Sequence, residues 1–464
     1  IAGTLAISGY NIADTYFVGQ LPGAEPLAAM GFTFPVIMLV GCVFHGLSAG
    51  VMTTAAQAIG GQKRNKAAKL ISSGLLLVFI LSILIATIGM STTNHVFSLF
   101  GASGETLMLT KGYMNIWYFG CATAALSMTG NSLLISVGKV KTASSLMVMG
   151  MLINVVLDPA FIFGFGSIPA MGIRGAAVAT IISQMATALS ILWILCRQQK
   201  LLRFEKIPWR QLKRAWGIMV VYAVPASIGM LMMPIGSAII TRVTAEFGDV
   251  AVAATAAAGR LEMVAFVFPM ALGIGLMPMI GQNFGARLYE RIRMCRRFSM
   301  RFAFCFLAFM AVIYFIFADV MVRHFSHDKN VQEIMAMAMR IIPWGFGMIE
   351  VHRYAGFFFI GCGRPAVAAW LNGLRIIGLM IPFSLLALYF HSLAGLFWAR
   401  LAADVIAGTV GFLLARRMTE RLPQNGEPPL VKAAGLAVVK KMLPQRLQSL
   451  AADQSDIDNR NNMQ

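Results

Sequence analysis

The sequence predicts an all-α membrane protein: twelve transmembrane helices in two parallel-repeat six-helix bundles. Three observations carry that prediction. The 464 residues are 58% hydrophobic and only 12% charged, with a mean hydropathy of +0.73; soluble domains carry about a quarter charged residues. The apolar runs exceed the roughly 18 residues that mark a spanning helix, and they lack period-two alternation, which selects helices over a barrel. The chain also repeats itself. GAEPLAA from Gly23 aligns with GDVAVAA from Gly248, QAIGG from Gln57 with QNFGA from Gln282, and Gly138 of GKV with Gly363 of GRP, all at one offset of 225 residues. An even number of helices in each half makes the halves parallel repeats, related by an axis along the membrane normal.

The twelve apolar segments fall near 1–20, 28–58, 67–92, 106–136, 142–165, 171–196, 216–244, 250–281, 294–321, 331–361, 365–390 and 392–415. The chain begins at Ile1, already inside an apolar run, and reads as lacking the start of its first helix. Residues 1–196 form the first lobe and 216–417 the second. Residues 197–215 are a linker whose basic and aromatic side chains suit a membrane interface. Residues 418–464 form a polar and basic tail, whose middle suits a short surface helix or a mobile segment.

Alternate loops carry the positive charge. Lys63, Arg64, Lys66 and Lys69 follow the second segment, Lys139 and Lys141 the fourth, and seven basic residues from Arg197 to Arg214 the sixth. Arg287, Arg291, Arg293, Arg296 and Arg297 follow the eighth; Arg364 lies after the tenth, and Arg416 and Arg417 after the twelfth. The intervening loops are nearly bare, with Arg174, Arg323 and Lys329 as exceptions. The positive-inside rule therefore puts both termini in the cytoplasm. The same distribution accounts for the net charge of +19 without nucleic acid as a partner. The six cysteines lie in or beside apolar runs with no CxxC spacing, and read as small core residues.

Two acids stand inside the apolar runs of the first half. Asp14 follows Tyr10 by four residues, and Asp158 follows Asn154 by four, so each pair shares a helix face. A carboxylate in hydrocarbon costs at least a few kcal/mol and marks a functional site by default. Counting from the loops, both lie about seven residues, roughly 10 Å, from the outer helix ends, and Thr180 falls at a similar level. Two adjoining carboxylates in low dielectric should not both stay ionised, so the pair can carry a proton. With Asn154, Thr180 and a backbone carbonyl it can alternatively ligate sodium through oxygens. Pro159 has no N–H, so the carbonyl of Val155 loses its helical partner; a broken helix there would expose that oxygen to a cation.

In the second half, Arg260 and Glu262, Glu350 with His352 and Arg353, Arg375, Arg400 and Asp404 place each acid near a base, which reads as mutual neutralisation. Asp14 falls on Ile239 and Asp158 on Phe383 at the repeat offset, so the acidic pair belongs to the first half alone. Glu350 remains a candidate for a second cation site. His45 reads as a packed, weakly polar residue. The 32 methionines and 32 phenylalanines mostly face lipid or pack, but MLMMP at 230–234, with Met232 and Met233, suits a cavity for varied apolar ligands.

The stretches DTYFVGQLPGAEPLAAMGF, TTAAQAIGGQKRNKAAK, INVVLDPAFIFGFGSIPAMGIRGAAVAT and GQNFGAR together resemble the multidrug and toxic compound extrusion (MATE) family over nearly the whole chain except the tail. YxxxD on the first helix and NxxxD on the fifth resemble the branch typified by DNA-damage-inducible protein F. The resemblance implies a secondary active, cation-coupled antiporter that exports organic, often cationic, drug-like compounds; the two acids in one apolar bundle make the proton the expected coupling ion, with sodium as the alternative. It implies two six-helix lobes around a V-shaped cleft, in the inner membrane of a bacterium. It carries Asp14 and Asp158, with Tyr10, Asn154 and Thr180, onto a first-lobe cation site, and Asn131 and Tyr113 onto the substrate lining. No cofactor is expected, and a monomer is. Two departures are visible: the proline-bearing start of the first helix is missing, and the tail after Arg417 has no counterpart.

Two other readings compete. A flippase for lipid-linked precursors would line its cleft with basic residues for pyrophosphate, whereas the arginines here stand beside acids. An intramembrane aspartyl protease would use Asp14 and Asp158 as paired carboxylates, but the GxGD setting is absent and a protease does not explain the duplication. There is no Walker A sequence, so ATP does not drive transport directly.

Overall fold

A computed structural model describes residues 2–166, 169–202, 207–323 and 328–426. The expected surface helix in the tail and the linker residues Arg203 and Lys206 lie outside the described residues. The first half comprises α1 (Ala2–Val18), α2 (Glu25–Gly60), α3 (Arg64–Leu99), α4 (Gly104–Phe119), α5 (Cys121–Ser136), α6 (Val140–Ile162) and α7 (Ile173–Trp193), the last extended by a π-helical turn at Ile194–Gln198. The second half comprises α8 (Trp209–Ala245), α9 (Asp249–Ala265), α10 (Val267–Gly285), α11 (Tyr289–Arg323), α12 (Lys329–Ile341), α13 (Phe346–Gly361), α14 (Pro365–Gly373), α15 (Ile381–Tyr389) and α16 (Leu393–Glu420).

These elements make the twelve spans. Four spans that read as continuous in the sequence are divided. The fourth breaks at Gly120 and the eighth at Phe266; the tenth passes through a 3₁₀ turn at Ile342–Gly345, and the eleventh through a π-helical segment at Leu374–Met380. Among the described residues, ten helical segments, counting the tenth and eleventh spans as continuous, are long and apolar enough to cross a membrane. The first span has 17 residues, and the fourth is two pieces of 16, too short to count singly. Conversely, α6 runs unbroken through Pro159 to Ile162. The expected broken helix does not occur, because a proline so near a helix end removes one bond that the flanking turns outlast.

Each lobe has its own packed interior. Ile71, Phe97, Met114, Leu133 and Leu134 are fully enclosed in the first; Tyr289, Tyr354, Phe346 and Phe358 are enclosed in the second. The lipid-side surface is apolar instead of charged, as Leu84, Val156, Phe298 and Ile316 illustrate. With hydrocarbon outside, burial of apolar area does not hold such helices together; close packing does.

The duplication is written in the backbone. Gly23 and Gly248 have φ of 88° and 97°, Gln62 and Arg287 57° and 59°, and Gly138 and Gly363 both 82°. The helix ends match as well. The Lys63 N–H donates to the Ala58 carbonyl at 3.0 Å, and the Leu288 N–H to the Asn283 carbonyl at 2.9 Å. The linker's aromatic end joins α8: Trp209 and Trp216 meet edge-on at 5.8 Å, Lys213 lies over Trp209, and the Trp216 indole N–H donates to the Ser73 carbonyl on α3. The helix ends at the basic loops are hereafter the basic face.

Candidate functional site

α1, α6 and α7 pack side by side in the first lobe, away from the basic face. Gly150 of α6 makes this possible: a Cβ there would lie 2.6 Å from Thr187 Oγ1 and 3.1 Å from the Tyr10 hydroxyl. The absent side chain lets α7 and Tyr10 close on α6. Asp14 sits four residues before the end of α1, and Asp158 four before the end of α6. Both are thus about 6 Å from their helix ends, shallower than the loop count suggests. The turn from Gly19 ends α1 early, and α6 stops at Ile162.

Asp158 and Asn154 are completely enclosed, and Thr180 and Asp14 are 6% and 8% exposed. The Asn154 amide donates to Asp158 Oδ1 at 3.1 Å and lies 3.4 Å from Thr180 Oγ1, and the Thr180 hydroxyl donates to Asp14 Oδ2 at 3.3 Å. The Asp14 and Asp158 carboxyls themselves meet within hydrogen-bonding reach. One oxygen of each, Asp14 Oδ1 and Asp158 Oδ2, is buried without a donor, and so is Asn154 Oδ1. Among the described residues no basic side chain pairs with either acid; the ion pairs all lie in the second half. A buried acceptor without a donor costs about 1–3 kcal/mol, more when charged. A single proton between the two carboxyls would supply a donor and halve the buried charge. Alternatively the unused oxygens suit a hard monovalent cation; no cluster of three or more His, Cys, Asp or Glu exists among the described residues to hold a transition metal.

The MatE family model matches residues 1–160 and 225–386. The chain belongs to the MatE family. A relative from Shewanella oneidensis, named FAD transporter, is 31% identical over 420 residues, covering 90% of this chain and 93% of the relative. Multidrug export protein MepA from Staphylococcus aureus is 23% identical, over 90% of this chain and 92% of that protein. The solved structure of the Vibrio cholerae MATE transporter VcmN in the bent form matches with a TM-score of 0.84 at 28% identity, covering 90% of this chain and 94% of that one. The protein is therefore an integral membrane transporter with twelve helices in two repeats.

Within this MatE chain the other residues singled out from sequence distribute unevenly. Tyr10 is one step removed from the acids: its hydroxyl donates to Ser183 Oγ at 2.6 Å. Ser183 in turn donates to the Thr180 carbonyl and was not among the expected residues. Its signal was present, because Thr180, Ser183 and Thr187 form one polar stripe at helical spacing on α7. Tyr113 is buried on α4. Asn131 does not reach the acids; its amide contacts Met147 Sδ at 3.1 Å, and its carbonyl oxygen is buried without a donor. Met232 packs against the second-lobe cluster of Ile376, Met380 and Ala403, while Met233 is 52% exposed.

In the second lobe, two of the acids inside the spans, Glu262 and Asp404, are neutralised across helices. Glu262 on α9 takes a bidentate pair from Arg400 on α16, at 3.0 and 2.5 Å. Asp404 pairs with Arg375 at 2.7 Å. Glu350 instead uses a neighbour on its own helix, Arg353 at 2.8 Å, whose guanidinium also lies 4.6 Å over the Phe266 ring. Arg260, expected beside Glu262, faces away from it, is exposed, and has no acid partner among the described residues. A side chain two residues on along a helix is about 160° away around the axis, so adjacency in sequence misassigned the partner. His45 is likewise exposed and not packed.

Proposed function

We propose that this chain is a proton-coupled exporter of small organic, often cationic, compounds, with Asp14 and Asp158 as its proton site. One observation carries the reading: two buried carboxyls meet, each with an oxygen that lacks a donor, and no described base neutralises them. Asn154 and Thr180 hold the pair, and Tyr10 anchors α1 to α7 through Ser183. Sodium is the runner-up. No cofactor is required. The protein acts as a monomer in a bacterial inner membrane with the basic face and both termini in the cytoplasm, as the loop charges direct.

Binding of one proton gives the pair a donor where two carboxylates have none. That alters the bonds joining α1 to α6 and α7, and the lobe shifts only as far as the proton's differential affinity for the two shapes allows. Efflux from vesicles under separately imposed pH and sodium gradients tests the coupling. Export is expected to persist without sodium and to collapse with a protonophore; sodium-dependent export indifferent to pH overturns the assignment. Thr180→Val keeps the side-chain shape and removes the hydroxyl that links the acids. It is expected to lower proton-driven export about tenfold, the loss of roughly 1.4 kcal/mol from a buried hydrogen bond. Unchanged efflux at limiting pH gradient would remove Thr180 from the site.

A second reading concerns the substrate. The relative from Shewanella oneidensis is named FAD transporter, and FAD is an anionic dinucleotide. Arg260 is an exposed cation within an apolar span, without an acid among the described residues, which favours a cavity facing and suits a phosphate. Parallel vesicle assays with FAD and with cationic dyes separate the two substrate classes, and Arg260→Gln is expected to impair only export of the anion.

A further inference from the structure

The motif QAIG at Gln57–Gly60 and its repeat QNFG at Gln282–Gly285 take no part in the site above, yet they meet where the two lobes touch. Gln57 lies near the end of α2, and its side-chain amide donates to the carbonyl of Gly361, the last residue of α13 in the other lobe, at 2.9 Å. Gln282 lies near the end of α10, and its amide donates to the carbonyl of Ser136, the last residue of α5, at 2.5 Å. Gly361 and Ser136 are themselves related by the 225-residue offset. The two bonds are one interaction made twice, each lobe gripping the helix end of the other.

The glycines of the same motifs complete the arrangement. A Cβ on Gly60 would lie 1.9 Å from the Gln282 carbonyl oxygen, and one on Gly285 would lie 1.9 Å from the Gln57 carbonyl oxygen. Each glycine therefore makes room for the backbone of the glutamine opposite. A Cβ on Gly281 would lie 3.2 Å from the Ala56 methyl, so α2 and α10 cross backbone to backbone. Amide-to-carbonyl bonds between helix ends are suited to a contact that must open: no charge is left unpaired when it parts, and water can replace both partners.

We infer that Gln57 and Gln282, with Gly60 and Gly285, form a two-fold latch that holds the basic-face ends of the lobes together, and that this latch must open for the transporter to admit substrate from that face. The inference rests on the transport reading for its consequence but not for its geometry. The other close contacts between the lobes support it. Gly50 faces the Met219 carbonyl, Gly46 faces Ser227, and the Ser227 hydroxyl contacts the Val43 carbonyl. These step away from the latch along α2 and α8, so the latch terminates the seam at the basic face.

The test reads distance directly. Spin labels at Lys66→Cys and Arg291→Cys, exposed equivalents at the start of α3 and α11, are placed on a chain with its native cysteines replaced. Gln57→Met and Gln282→Met keep length and remove the amide. Each is expected to raise the ratio of long to short distances about fivefold, the shift that one lost hydrogen bond of about 1 kcal/mol gives, and the two are expected to agree within twofold because the sites are equivalent. Gln57→Glu, which turns a donor toward a carbonyl into a carboxylate, is expected to shift it further. Gly60→Ala is expected to open the same end by steric contact. Distance distributions that stay at the parent's in both Met variants overturn the latch, as does opening by Gly60→Ala alone, which would leave packing without the amides as the seal. Because these distances need no transport, failure of export with normal opening would count against the proton reading and leave the latch standing.

Discussion

Asp14→Asn and Asp158→Asn are each expected to abolish export while leaving a folded protein in the membrane. Asparagine keeps the shape and hydrogen-bonding size of aspartate but cannot take up and release a proton. In this site the substitution also supplies a permanent donor toward the partner carboxyl, satisfying an oxygen that lacks one. The variants should therefore be at least as stable as the parent while losing coupling. Resistance assays together with vesicle efflux under a pH gradient check this. Parent-like rates in both variants would move the coupling site elsewhere. Glu350→Gln is expected to be much milder for export, because Glu350 already has Arg353 at 2.8 Å; a complete loss there would transfer the site to the second lobe.

Arg400→Ala is expected to give the largest loss of stability. Glu262 is 6% exposed and receives two hydrogen bonds from Arg400, so truncation strands a carboxylate in the lobe. Breaking such a pair costs about 3–5 kcal/mol when it is fully buried. Arg400 keeps 32% of its side chain exposed, which puts the expectation at the lower end, about 3 kcal/mol. Replacing both residues, as Glu262→Met with Arg400→Met, is expected to recover most of that loss, since no charge is left alone. Thermal unfolding in detergent measures both. A double variant as unstable as Arg400→Ala would mean that shape and not charge is what the pair contributes.

Much of this was legible without coordinates, for reasons that can be named. Spans follow from hydrocarbon's intolerance of unpaired backbone, and twelve of them could be drawn from apolar length. The duplication was visible as three sequence matches and returns as three matched pairs of left-handed residues. Asp14 and Asp158 stood out because acids are rare in such runs. What failed depended on direction around a helix axis or on position along it. Glu262 was read with Arg260, two positions away, but bonds Arg400 from another span. Pro159 was expected to break α6, and the helix runs on.

The sequence by itself determined the membrane class, the number of spans, the repeat, and the two carboxyls with their helical neighbours Tyr10 and Asn154. Each of these is set by local spacing or by the cost of a group in hydrocarbon. The tertiary structure alone decided that Asp14 and Asp158 meet, that Thr180 joins them, that Ser183 receives Tyr10, and that Gln57 and Gln282 grip opposite lobes. Most of those contacts join residues more than a hundred positions apart, and their partners are chosen by how helices rotate and cross. Gly150, Gly60 and Gly285 set those crossings through the side chains they lack, an effect that appears only when the opposing backbone is in place.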